Sequence, residues 1–178
     1  MKAGTVRLSC AALLIVGMMG PAFAQTSSSP PAEPLPARAA LMFRPNHVCL
    51  RVKDLEASVK WWSDVFGAQV VRRSKVPTID PGAEIAFLEI ADGFHIELVG
   101  GGSPRQAAPP PKDIAADYGV EGWKHVGFTV PDMDAAVAYL HSKGVEVAYE
   151  TDRPDYGVRI ALFKEPNGYF IELYAPRS

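Results

Sequence analysis

Residues 47–67 read HVCLRVKDLEASVKWWSDVFG, and residues 125–144 read HVGFTVPDMDAAVAYLHSKG. The two share an opening His-Val, a hydrophobic-x-Val step, an Asp, a helical stretch and a closing Gly. Further along, IAFLEIADGFHIEL (85–98) lies over IALFKEPNGYFIEL (160–173) without a gap. Self-similarity of this length marks a tandem repeat. The fold question therefore reduces to one unit read twice.

In the first copy, strand 46–52 alternates: Val48, Leu50 and Val52 face one side, His47, Cys49 and Arg51 the other. Its counterpart sets Val126, Phe128 and Val130 against His125, Gly127 and Thr129. Asp54 and Asp132 are expected N-caps, and Gly67 and Gly144 expected helix stops. Between them Leu55, Val59, Trp62 and Phe66, then Met133, Ala136, Val137 and Leu140, recur at helical spacing as core stripes. The paired Trp61 and Trp62 read as packing. Ala91-Asp92-Gly93 and Pro166-Asn167-Gly168 mark hairpins joining 85–90 to 94–99 and 158–163 to 169–174. With a short strand in 68–74 and another in 145–150, each half is β-α-β-β-β. The fold class is α+β, with tandem βαβββ modules at about 44–100 and 122–176.

One face of each sheet is apolar and covered by its helix, so the other must line something polar. Phe94, Ile96 and Leu98 take the apolar side of 94–99, which puts His95 and Glu97 opposite. In 169–174 the same count leaves Phe170, Glu172 and Tyr174. The repeat thus presents His47 and Glu97 from one half, and His125 and Glu172 from the other, at equivalent positions. A lone strand histidine is usually a satisfied polar residue, and a lone strand glutamate a solvated one. Two of each at matched positions suit one divalent ion: Zn, Ni, Mn or Fe. No HExxH, CxxC, Walker loop or GxSxG occurs.

Around this core the chain reads simply. Lys2 and Arg7, the apolar run Cys10–Gly20 and Ala22-Phe23-Ala24 form a signal-peptide pattern over 1–24. The run is too short to span a bilayer. The expected locale is periplasmic or secreted after cleavage, with no stable membrane anchor. Residues 25–40 are Ser/Pro/Ala-rich and read as a disordered linker, leaving 41–178 as a single domain. Without Lys2 and Arg7 the chain holds 16 basic and 20 acidic residues and no basic block, so no nucleic-acid partner is expected. Cys49 is the one cysteine left after cleavage and cannot close an internal disulfide.

The H-x-x-L-R-V-x-D-L-x-x-S opening, the hydrophobic-Glu-Leu strand, the second His-Val and the closing P-N-G-Y-x-I-E-L resemble glyoxalase I and its relatives in the vicinal oxygen chelate superfamily, over about 44–176. The resemblance implies a cup-shaped mixed sheet with helices on the outside. It also implies one divalent ion held by His47, Glu97, His125 and Glu172, with Glu172 or Glu97 moving a proton. The implied function is a metal-dependent lyase or isomerase acting on a small oxygenated substrate through bidentate chelation. Alternatives are an extradiol-type ring-cleaving dioxygenase using iron on His47, His125 and Glu172, or a non-catalytic small-molecule binding or resistance protein. Two departures from the pattern count against glutathione and CoA substrates: Gly at 101, where glyoxalase I would have Asn, and Lys124 before His125. Arg51 and Arg159 are expected to flank the site and favour an anionic substrate, with His95 beside them. A homodimer is expected from the open module edges. The long connector 100–123 is expected to let both halves form one complete cup within a chain.

Overall fold

Both module helices start at an aspartate whose carboxylate takes up a free backbone N–H. Asp54 accepts from Ala57 N at the head of α1 (Leu55–Phe66), and Asp132 from Ala135 N at the head of α3 (Met133–Ser142). Gly67, at a left-handed φ of 66°, ends α1 by donating to the Ser63 and Trp62 carbonyls. At the end of α3 the cap is Lys143, with Gly144 left-handed just beyond it.

A computed structural model describes residues 44–78, 80–105 and 108–177, which lie within one compact unit spanning Phe43–Ser178. The signal and linker readings, 1–24 and 25–40, lie outside the described residues. Among the described residues no helix is long and apolar enough to cross a membrane.

Each module folds its strands into a separate four-stranded sheet. The first holds β1 (His47–Arg51), β2 (Gln69–Lys75), β3 (Ala83–Ala91) and β4 (Phe94–Gly101) in the order β1-β4-β3-β2. The second holds β5 (His125–Thr129), β6 (Val147–Arg153), β7 (Val158–Lys164) and β8 (Phe170–Pro176) in the matching order β5-β8-β7-β6. In both, the first strand runs parallel to the last and the hairpins are antiparallel. The expected βαβββ repeat is what forms. β1 and β5 each pair on one side only, so both present an open backbone edge.

The helix-covered sides of the two sheets share one core. Trp62, Leu88, Ile96 and Leu98 from the first module and Leu140, Phe163, Ile171 and Leu173 from the second belong to a single buried cluster. Phe66 of α1 lies 5.1 Å from the Phe128 ring and 6.2 Å from Phe163. Burying Trp62 fully makes it the largest single contributor; truncating it to alanine would cost about 3–5 kcal/mol.

A buried polar tie reinforces this junction. Asn167 accepts from Lys53 N (3.0 Å) and donates to Ser58 Oγ (3.3 Å) and Glu165 Oε2 (2.7 Å). Glu165 Oε1 in turn accepts from Tyr169 N. The second module's hairpin is thereby bonded to the start of α1 in the first.

The connector carries a short helix of its own. Asp113 caps a short helix, α2 (Ile114–Tyr118), by accepting from Ala116 N. Lys124 Nζ donates to the carbonyls of Asp117 and Val120 at its end, and Lys164 Nζ to those of Pro111 and Lys112 before it. Two lysines of the second module thus hold the connector against that module.

Candidate functional site

Opposite partners in neighbouring strands share a face of the sheet, so the register fixes which side chains stand together. In the first module one row runs Cys49, Glu97, Phe87, Arg72 across β1, β4, β3 and β2. In the second the equivalent row runs Gly127, Glu172, Leu162, Tyr149 across β5, β8, β7 and β6. His47 and His125 stand one step away on the same faces. Each histidine meets the glutamate of its own module: His47 Nε2 is 3.1 Å from Glu97 Oε2, and His125 Nε2 is 3.4 Å from Glu172 Oε2.

The histidines are prepared differently. His47 Nδ1 donates to Asn46 Oδ1 at 2.7 Å, which puts the ring proton on Nδ1 and turns the Nε2 lone pair toward Glu97. His125 Nδ1 is buried with no hydrogen-bond partner. A bare imidazole nitrogen facing a carboxylate oxygen is repulsive unless a proton or a cation lies between them. Nitrogen and oxygen at these separations match two donors about 2.0–2.2 Å from one ion. The donor chemistry of both pairs therefore fits a borderline divalent metal.

The pairs do not gather within one chain. Among the described residues, no three His, Cys, Asp or Glu side chains come together as one metal-binding group. His47 and His125 border a common groove of about 540 Å³ along the β1 and β5 edges, lined also by Arg51, Trp123, Tyr169 and Phe170. The expectation of a complete cup in each chain is not met. The shared core and the Asn167 tie join the modules by their helix-covered sides, and each His–Glu pair stands on the opposite face of its own sheet.

Arg51 borders the groove as expected, but its guanidinium is engaged by Asp80 Oδ2 (2.8 Å) and the Gly101 carbonyl. Gly101 has φ 68°, and a Cβ there would sit 2.5 Å from the Gly82 carbonyl oxygen. A glycine is required at 101, which accounts for the asparagine missing from the sequence pattern. His95 faces His47 across the strand pair, with its Nδ1 near the Asn46 carbonyl and its ring edge-on to Phe87.

Arg159 corrects the reading made from sequence. Its strand partner is Ala175, a core residue, and Ala161 and Phe163 beyond it are fully buried under the helix. Arg159 stands on that helix-covered side and bonds Asp134 of α3 and Glu150. Ile160 and Leu162 are the ones that face Glu172. The run Ile160–Phe163 is apolar throughout, so alternation could not fix its phase.

Around Glu172, α2 roofs a cavity of about 260 Å³ whose walls include Ile114, Tyr118, Tyr149, Ile160 and Leu162. Partial burial, and after it the Glu172 and Asp117 carboxylates, push the Tyr118 phenol up, so it stays protonated and able to donate. Sequence reasoning passed over Tyr118 because nothing marked the Pro/Gly-rich connector as helical, apart from Asp113 three residues before the Ala116 N–H it caps. In the first module, burial and then the Glu97 carboxylate push the Cys49 thiol up to about 11. It is a neutral thiol at physiological pH, not a nucleophile.

Comparison with known proteins agrees with this architecture. The Glyoxalase/Bleomycin resistance protein/Dioxygenase superfamily pattern matches residues 44–173. A lactoylglutathione lyase of Schizosaccharomyces pombe is 29% identical over 151 residues, 74% of this chain and 47% of that protein. The chain thus spans about half the length of that relative. A lactoylglutathione lyase of Haemophilus influenzae is 27% identical over 139 residues, 74% of this chain and 92% of its own. Among solved structures, a glyoxalase family protein from Bacillus cereus superposes with a TM-score of 0.62 at 23% identity, covering 77% of this chain and 96% of that one. With the repeat, the paired sheets and a match across most of its length, the chain belongs to the glyoxalase/bleomycin resistance protein/dioxygenase superfamily.

Proposed function

We propose that this protein is an exported, metal-dependent lyase or isomerase of the glyoxalase I type, whose site is built by two copies of the chain. The observation that carries the reading is the pair of equivalent His–Glu contacts, each beside an open edge strand. Joining β1 of one chain to β5 of another would set His47 and Glu97 beside the partner's His125 and Glu172. The result would be the two-imidazole, two-carboxylate set that suits Zn, Ni, Mn or Fe. Helices would then lie outside the completed cup.

When bound, such an ion supplies chelation of two neighbouring substrate oxygens and stabilises negative charge developing on them. The chain's own residues do the rest. His47, kept in one tautomer by Asn46, and His125 would each hold such an ion through Nε2. Glu97 or Glu172 takes a proton from the substrate carbon and returns it to a neighbouring one. Tyr118 donates from the α2 roof, and the apolar Ile160–Leu162 wall keeps water from the reacting centre. Glutathione is not the favoured substrate, because Gly101 stands where glyoxalase I would have an asparagine and Arg51 is already engaged. Export rests on the signal pattern at 1–24, and mass spectrometry of the exported chain should find Gln25 at its amino terminus.

The test uses two inactive variants. His47→Ala and His125→Ala chains are each expected to lose the metal. Mixed under exchange, they should regain it in the heterodimer that retains one unmodified site. Metal regained on mixing supports a site shared between chains. No recovery in demonstrated heterodimers would overturn it, and full retention in both variants would overturn the metal site itself.

A further inference from the structure

We propose that Arg72, an arginine absent from every motif in the sequence, is the residue that selects an oxyanion at the far end of the substrate. The inference rests on the metal-chelation reading above and adds a substrate class to it. Five arginines lie in the strands. Arg51 is paired with Asp80, Arg73 with Glu56 and Glu84, Arg153 with Asp155, and Arg159 with Asp134 and Glu150. Among the described residues, Arg72 alone of the five makes no ion pair.

Its position is specific. A bulge between Val70 and Arg72 shifts the register of β2, so that Arg72 comes opposite Phe87, which is itself opposite Glu97. Without that bulge strict alternation would not place it there. Arg72 therefore stands on the face of the His47–Glu97 pair, two strands from Glu97, or about 10 Å at ordinary strand spacing. Its guanidinium lies 4.2 Å from the centre of the Phe87 ring, and that ring stands edge-on to His47 at 5.3 Å. Stacking on the ring holds the guanidinium in place while leaving its N–H edge free.

A fixed, unpaired guanidinium at this remove from the pair matches a substrate with its chelating oxygens at one end and a carboxylate, or another oxyanion, a few bonds away. Carboxylates near the other strand arginines already occupy their donors. Arg72 keeps its donors for a ligand, and a planar fork is suited to two oxygens at once.

Binding of matched probes to the metal-loaded protein tests this. The probes are monohydroxamates of linear dicarboxylic acids with three to six methylenes, which chelate through two neighbouring oxygens, and the methyl amides of the same lengths. At one chain length the charged member is expected to bind about tenfold tighter than its amide, by the usual worth of a charge-assisted pair. Arg72→Gln should erase that preference while metal content and amide affinity stay as in the parent, and Arg72→Lys should keep part of it. Equal binding of acid and amide in the parent, or a preference that survives Arg72→Gln, overturns the role of Arg72 and leaves the metal reading standing. If neither probe binds the loaded protein, the chelation reading falls and this inference falls with it.

Discussion

The two modules share a backbone and a pair of ligand-type side chains, and almost nothing else on the faces that carry them. Around Glu97 the row holds Cys49, Phe87 and Arg72; around Glu172 it holds Gly127, Leu162 and Tyr149. One face is cationic and carries a thiol, while the other is apolar and roofed by a helix that the first lacks. The repeat keeps the His–Glu pair in both modules, while the walls around each pair diverge. The turns diverge as well: Asp92 in the first hairpin is exposed, whereas Asn167 at the same place in the second is buried and binds the other module.

The largest expected effect tests the part that stayed the same. Glu97→Ala and Glu172→Ala should each strip the protein of its metal, as the two histidine variants should, with little change in melting temperature. None of these side chains belongs to the shared core. Elemental analysis beside thermal unfolding checks it. If one glutamate variant keeps its metal fully, the modules are not equivalent at the ion and the site is smaller than four donors.

A smaller effect separates the turns. Asn167→Ala strands the Lys53 N–H, Ser58 Oγ and Glu165 in a buried place, which should cost about 3 kcal/mol at roughly 1 kcal/mol or more per lost partner. Asp92→Ala, at the same place in the first repeat, should stay within about 0.5 kcal/mol. Denaturant unfolding of both variants measures the contrast. Equal costs would mean that the polar tie does not hold the modules together.

Smaller again is the effect of Arg159. Its partners are surface carboxylates, so Arg159→Ala should change stability only slightly. It should also leave the affinity of anionic ligands where it was. Arg73 makes the matching bond in the first module, to Glu56 in the same turn of α1 that Asp134 occupies in α3. The two modules thus tie helix to sheet with arginines from different strands. Loss of ligand binding in Arg159→Ala would return that residue to the pocket.

These contrasts also show why parts of the molecule were legible in sequence and others were not. The capped helices, the turns at 91–93 and 166–168 and the four His and Glu positions follow from alternation and repeat, which are local. The phase of β7 was not readable, because Ile160 to Phe163 are all apolar and period two leaves no mark on them. Arg72 was hidden by a bulge that only the pairing with β3 reveals. The α2 roof was hidden because its five residues gain their order from lysines 124 and 164, far from any helical pattern. Whether four donors meet in one chain depends on how two sheets pack through a shared core, and no spacing encodes that.

The smallest effect probes a difference that lies directly beside the carboxylates. Cys49 stands beside Glu97, but its counterpart beside Glu172 is Gly127, at which an added Cβ would lie 3.4 Å from Glu172 Oε2. Gly127 is not in the left-handed region, so its backbone accepts alanine. A glycine within a strand costs about 0.5–1 kcal/mol relative to alanine, and Gly127→Ala should return roughly 0.5 kcal/mol of that. Cys49→Gly should lose a similar amount. If the space at Gly127 is merely a relic, turnover and metal content will both be unchanged as stability rises. If Glu172 needs that space to swing between the ion and the substrate, Gly127→Ala will lower turnover severalfold with the metal still in place. Cys49→Gly will have no such effect. Stability, metal content and turnover measured on the two variants together distinguish these cases, and a loss of turnover in Cys49→Gly instead would make Glu97 the residue that moves.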